Sequence, residues 1–143
     1  MAKVVDSYTI LCWMQNEPGS DLIHSLLDKA SNGEESLFIS VVSMAEVYHS
    51  LFKNTDEEQT NIFFDDLKKK VIPIEIVPIT NKRAWKAAQL KNYFGIPFSD
   101  AFTASLAAEL KATLVTGDSQ FYELEQKGVI QIEWLPEIQN IYI

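Results

Sequence analysis

The stretch Leu37-Phe38-Ile39-Ser40-Val41 decides the fold. It is an apolar run with β-branched residues and no polar alternation, the pattern of a strand covered on both faces. Such strands belong to parallel sheets lying between layers of helix, so the flanks should be helical. Upstream, Leu22, Ile23, Leu26, Leu27 and Ala30 form one apolar stripe at helical spacing, with Ser20 as a cap and Asn32-Gly33 as a stop. Downstream, Ser43 begins a helix to about Phe52. Thr55-Asp56-Glu57-Glu58 then has capping-box spacing and opens another, ending near Lys70.

The alternation continues outward in both directions. Lys3 to Asp6 reads as a strand and Tyr8 to Met14 as a short helix or turn. Ile74 to Val77 is a third strand between Pro73 and Pro78. Thr80 caps a helix that reaches Tyr93 and stops at Gly95, and Ser99 caps a helix from Asp100 to Lys111. Thr113 to Thr116 is a fourth strand, and Val129 to Leu135 could supply a fifth. Strands separated by helices imply right-handed βαβ crossovers. The expected architecture is therefore a single α/β three-layer sandwich with a mainly parallel sheet.

A chain of 143 residues, 47% apolar and 22% charged, suits one domain over residues 1–143 with a core of its own. The longest charge-free stretches, Ser7 to Asn16 and Ser36 to Ala45, are ten residues each. A bilayer-spanning helix needs about 20, so no membrane role is expected. Asp6 interrupts any apolar leader before it starts. Cys12 is the only cysteine, which excludes internal disulfides and cysteine-based zinc or iron–sulfur centres. A cytoplasmic protein is the expectation. Twelve basic against 20 acidic residues leave a net charge of −8, and Arg83 is the only arginine. Whole-molecule attraction to phosphate and a multi-arginine reader are thereby excluded. If this chain handles a polyanion, it must arrange charge locally, through metal ions.

Ligands of open parallel sheets bind beyond the carboxyl ends of the strands. Four acids fall there. Asp6 ends the first strand and Asp118 follows the fourth in Thr116-Gly117-Asp118. Glu46 lies one turn into the helix after the second strand, and Asp100 begins the helix before the fourth. Three of the four have a local account: Ser43-x-x-Glu46 is a capping box, Asp100 suits a helix dipole, and Gly117-Asp118-Ser119 is turn composition. Asp6 has none, since Val4-Val5-Asp6 puts an acid against a buried strand with only Lys3 nearby. Their joint placement favours a site. Two carboxylates about 5 Å apart repel by about 3 kcal/mol at an effective dielectric of about 20, so four together call for a cation. Oxygen ligands select a hard ion, Mg²⁺ or Mn²⁺. His24 reads as a surface residue, and the lone Glu46-x-x-His49 unit lacks the second copy a di-iron site needs.

Four blocks in order, Val4-Val5-Asp6-Ser7, Ser43-x-x-Glu46, Pro97-Phe98-Ser99-Asp100-Ala101-Phe102-Thr103-Ala104 and Val115-Thr116-Gly117-Asp118 with Phe121 after it, resemble those of PIN-domain ribonucleases, and among them the VapC-like toxins of toxin–antitoxin pairs. The resemblance covers essentially the whole chain. It implies a Rossmann-like sheet of order 3-2-1-4-5 and an endoribonuclease using Mg²⁺ or Mn²⁺. It also implies Asp6, Glu46, Asp100 and Asp118 as catalytic and metal-holding acids, with Ser7, Thr116 and Ser43 supporting them. Many relatives carry a further acid after the last block, where this chain has Ser119 and Gln120; a second metal would then be held weakly or only with substrate. RNA as substrate, an inhibitory antitoxin and a homodimer follow from the same resemblance.

Other features carry less. Lys82, Arg83 and Lys86 share one helix face and could guide an RNA backbone, although a solvated face is the better explanation of them. Lys68-Lys69-Lys70 suits a helix C-terminus. Trp13, Phe63, Phe64 and Trp85 could belong to the core or to a partner groove, with core the default, and Ile138 to Ile143 could pack on a neighbour or on the chain's own sheet. Three rival functions remain. A catalytically silent PIN-like module binding RNA or protein has no use for four costly acids. A receiver-like phosphoacceptor needs paired acids at the first strand and a lysine after a late one. An Asp-x-Asp phosphatase would need an acid where Tyr8 stands.

Overall fold

The computed structural model describes residues 1–136; the apolar stretch Ile138 to Ile143 lies outside the described residues. Its elements run β1 (Ala2–Val5), α1 (Ser7–Met14), α2 (Ser20–Ser31), β2 (Ser36–Ser40), α3 (Val41–Asn54), α4 (Glu57–Lys68), β3 (Ile74–Val77), α5 (Asn81–Phe94), α6 (Phe98–Leu110), β4 (Thr113–Thr116), a 3-10 turn at Ser119–Phe121, α7 (Tyr122–Gln126) and β5 (Ile132–Trp134). The five strands form one sheet of order β3-β2-β1-β4-β5. Every pairing is parallel, with Val5 opposite both Ile39 and Val115. The α/β expectation and the strand order are therefore both met. All strands end on one edge, which is where the chain changes direction into helices.

Alternating side chains divide the core in two. Val5, Leu37, Ile39, Ile74 and Val115 face α1 to α4, meeting Ile10, Leu26, Met44, Val47, Phe63 and Leu67. Val4, Val77 and Leu114 face the opposite layer, meeting Ala87, Ala101, Ala104, Ala107, Phe121 and Leu124. The alanine face of α6 lets that helix lie close over the sheet, bringing its N-terminal turn to the strand ends.

Several helix starts differ from the sequence expectation. α3 begins at Val41, capped by the Ser40 hydroxyl accepting from the Val42 amide at 3.2 Å. Ser43 and Glu46 therefore lie inside the helix and form no capping box. The cap of α4 is Asp56, accepting from the Gln59 amide at 2.7 Å, in place of Thr55. Neither Ser20 nor Ser99 caps its helix, for Gly19 and Pro97 occupy the N-cap positions without a side-chain bond. Thr80 does cap α5, and Gly95 ends it in the left-handed region at φ 67°. The fifth strand shrinks to Ile132–Trp134. Trp13 and Phe63 join the core as expected. Phe64 and Trp85 do not; they are 44% and 65% exposed.

One glycine is fixed by its neighbour. A Cβ on Gly117 would stand 2.4 Å from the Tyr8 ring, a side chain that is itself buried. Because Tyr8 lies under the turn between β4 and Asp118, the ring cannot yield cheaply. Gly117→Ala is expected to destabilise the protein by about 1–3 kcal/mol through overpacking. A urea midpoint matching that of the parent, at equal slope, would contradict this.

Candidate active site

The chain leaves the sheet at Asp6. β1 ends at Val5, and Asp6 turns into α1 as its N-cap, one oxygen accepting from the Thr9 amide at 2.9 Å. The local role that the sequence did not reveal is thus a helix cap, at Asp-x-x-Thr spacing. The other oxygen accepts a 2.6 Å bond from the Thr116 hydroxyl at the end of β4. That hydroxyl in turn accepts from the Asp118 amide at 3.1 Å, which aims its proton at Asp6. Both bonds to Asp6 favour its ionised form, yet burial outweighs them. Burial first, and Asp118's charge with it, raise the Asp6 carboxyl to about 6. Lys3, the nearest base in sequence, reaches Glu133 at 2.7 Å and Glu35 at 3.9 Å instead.

Glu46 and Asp100 come to the same edge on helices. The Ser7 hydroxyl, one residue past Asp6, donates to Glu46 Oε1 at 3.2 Å. Ser43, one turn before Glu46, shares a buried 2.9 Å hydroxyl bond with Thr103, one turn after Asp100. Residues three apart share a helix face, so this bond clasps α3 to α6 beside the two acids. Ser43 thus serves the site through Thr103, a residue the sequence reading did not single out. The signal was available: Thr103 lies on Asp100's own face.

Asp100 carries the strain of the arrangement. Its Oδ2 is buried and has no hydrogen-bond partner. Its carboxyl is raised to about 7, first by burial and then by Asp118, Asp6 and Glu46. Every other acid of the group therefore acts on it. Asp118 itself caps the 3-10 turn, its Oδ1 accepting from the Gln120 amide at 3.0 Å. Among the described residues, no ion pair involves any of the four acids.

These donors fit a hard divalent cation. They are all oxygens, and the buried Oδ2 of Asp100 has an unspent lone pair aimed at no donor. No group of three or more His, Cys, Asp or Glu among the described residues is so gathered that it could hold a metal as it stands. The acids are nevertheless within electrostatic reach, since Asp118, Asp6 and Glu46 all raise the Asp100 carboxyl. His24 and His49 are exposed and contribute no ligand. The basic trio is reduced too. Arg83 donates to both oxygens of Glu109 at 3.1 and 2.9 Å and to the Pro78 carbonyl at 3.1 Å, so its fork is occupied; Lys82 and Lys86 remain exposed.

An all-parallel sheet with acids within electrostatic reach of one another past the carboxyl ends of its strands has the form of an α/β protein that binds in a crevice. The PIN-domain family model matches residues 3–127, and the chain belongs to that family, whose members are nucleases. Solved structures agree in fold. VapBC2 from Rickettsia felis, bound to a promoter DNA fragment, is 21% identical with a TM-score of 0.71, covering 93% of this chain and 98% of that one. DNA-bound VapBC from Salmonella typhimurium is 17% identical with a TM-score of 0.71, covering 93% and 97%. A toxin–antitoxin complex from Klebsiella pneumoniae is 15% identical with a TM-score of 0.68, covering 95% and 99%. No curated protein matches the sequence significantly.

The raised carboxyls set a pH dependence. Asp6 and Asp100 hold protons more tightly folded, at about 6 and about 7, than unfolded, near 3.8. In EDTA their contribution favours folding most below about pH 4 and is lost as pH rises through the folded values. Asp100→Asn should flatten that decline and stabilise the metal-free protein by about 1–3 kcal/mol at pH 8. Urea midpoints that fall in parallel for parent and variant between pH 4 and pH 8 would contradict this.

Proposed function

We propose that this protein is an endoribonuclease that hydrolyses RNA phosphodiester bonds with a Mg²⁺ or Mn²⁺ cofactor, acting as the toxin of a toxin–antitoxin pair. The observation that carries the reading is the half-buried Asp100 carboxyl, its buried Oδ2 unpartnered and the group repelled by Asp6, Glu46 and Asp118 together. Carboxylates that repel one another in this way gain stability from a divalent cation between them. Asp6, Asp100 and Asp118 would hold the cation, directly or through water, and Glu46 would be a further ligand or would orient the attacking water. When bound, the ion supplies polarisation of the phosphoryl group and a water of lowered pKa.

The chain's own residues provide the positioning. Thr116 holds Asp6 in one orientation through its 2.6 Å bond. Ser7 holds one oxygen of Glu46 and leaves its other oxygen for water or metal. The Ser43–Thr103 bond keeps Glu46 and Asp100 on facing turns. No serine or cysteine nucleophile is required; the hydroxyls of Ser7, Ser43 and Thr116 are all committed to neighbours, and Cys12 is fully buried. The products would be a 5′-phosphate and a 3′-hydroxyl. Likeness in fold to toxin–antitoxin complexes supports an antitoxin as partner and, with the family resemblance, a homodimer.

Labelled RNA incubated with the purified protein tests the proposal. Cleavage should require Mg²⁺ or Mn²⁺, stop in EDTA, and fall by roughly 10²-fold or more in Asp6→Asn and Asp118→Asn. Thr116→Val, which leaves the acids in place, should cost about 10–100-fold in metal affinity or rate. Cleavage that persists in EDTA, or undiminished in both acid variants, would overturn the reading. Thermal melts supply an independent check: millimolar Mn²⁺ should raise the parent Tm at pH 7.5 and fail to raise that of Asp100→Asn.

A further inference from the structure

A shallow cavity opens immediately beside Asp118. Its walls are Gly117, Ser119, Tyr122, Trp134 and Leu135, so it borders the acid on both sides along the chain. Trp134 stands opposite Thr116 in the β4–β5 register, and the Leu135 amide donates to the Thr116 carbonyl at 2.8 Å. The cavity is therefore built on the same strand end that holds Asp6. Its two aromatic walls are open: Tyr122 is 57% exposed and Trp134 37%. Among the described residues neither ring packs against another ring. The Trp134 indole is nevertheless held, its Nε1 donating to Glu125 at 3.0 Å.

The chemistry of this cavity selects its occupant. No basic side chain lines it, Glu123 follows Tyr122 on α7 and Glu125 accepts from Trp134, so a phosphate is disfavoured. A flat, uncharged, partly apolar group suits two exposed rings. Base–aromatic stacking also supplies affinity without positive charge, which a chain of net charge −8 with its only arginine paired to Glu109 otherwise lacks. We propose that the Tyr122–Trp134 cavity is a stacking slot for one unpaired base of the RNA whose phosphate lies at Asp6 and Asp118. This inference rests on the nuclease reading and deepens it, because the slot would choose single-stranded RNA and set which phosphate reaches the acids.

The test uses the intact protein in a Trp85→Phe background, so that fluorescence reports mainly on Trp134 and the half-buried Trp13. Twelve-nucleotide oligouridylate and oligoadenylate, added in Ca²⁺ to offset the carboxylates, should quench the emission. Trp134→Phe should abolish the quench while binding the labelled oligonucleotide within a few fold of the parent. Trp134→Ala and Tyr122→Ala should weaken that binding by about 5- to 150-fold. In the Mn²⁺ cleavage assay both should raise KM more than they lower kcat. Tyr122 is exposed on a short helix, so its variant remains informative if Trp134→Ala unfolds. Absent quenching, or parent-like binding in Tyr122→Ala, would overturn the slot. Metal-dependent cleavage with unchanged KM would overturn the slot alone, whereas no metal-dependent cleavage by the parent would overturn the nuclease reading beneath it.

Discussion

A single hydroxyl joins the two strand ends on which the site is built. Thr116 accepts from the Asp118 amide and donates to Asp6, so the position of one acid is written into the orientation of the other. Among the described residues no base pairs with Asp6, and its bonds to Thr9 and Thr116 are what make its burial tolerable. The same carboxylate starts α1, and the turn after β4 is pressed onto Tyr8 at Gly117. Fold and site therefore share a buried polar contact, and disturbing either disturbs the other.

Around that joint neutral groups, and among the described residues no base, stand beside the remaining acids: a hydroxyl on Glu46 and a backbone amide on Asp118. Ser7 bonds Glu46, while Ser43 and Thr103 bind α3 to α6. Neutral donors position a carboxylate without cancelling its charge. An arginine in their place would be a better structural partner and would leave a cation nothing to do. The one arginine is instead spent on Glu109. The outcome is a site that stores repulsion, visible in the raised carboxyls of Asp6 and Asp100. Stability given up at such a place is the usual mark of function.

The layered α/β fold was legible because parallel strands buried on both faces leave uninterrupted apolar runs, and because the intervening helices announce themselves by stripe. Helix starts were less so. At α3 the hydroxyl that caps is Ser40, still counted within the strand, and at α6 the chain enters through Pro97 with no side-chain cap at all. Asp6 and Asp118 could be placed from strand ends, and Glu46 and Asp100 from the first turns of helices. Ser7, Thr116 and Ser43 came as supports only through the family resemblance, and their partners could not be read, because Thr116 meets Asp6 across 110 residues and Ser43 meets Thr103 across 60, and only the finished packing pairs them. Arg83 shows the converse error: a helix face rich in bases looked free, yet its guanidinium faces a glutamate on the next helix. Trp134 drew no notice in the sequence because a lone aromatic in a short strand signals nothing until its neighbours are known.

The central claim is that these four carboxylates, unfavourable alone, close on a divalent ion. Anomalous diffraction from crystals grown with Mn²⁺ measures this without recourse to activity. The account predicts a manganese peak within coordination distance, about 2.0–2.4 Å, of oxygens from Asp6, Asp100 or Asp118. Full-occupancy manganese bound elsewhere with this edge of the sheet left bare, or the acids turned out to solvent, would contradict it.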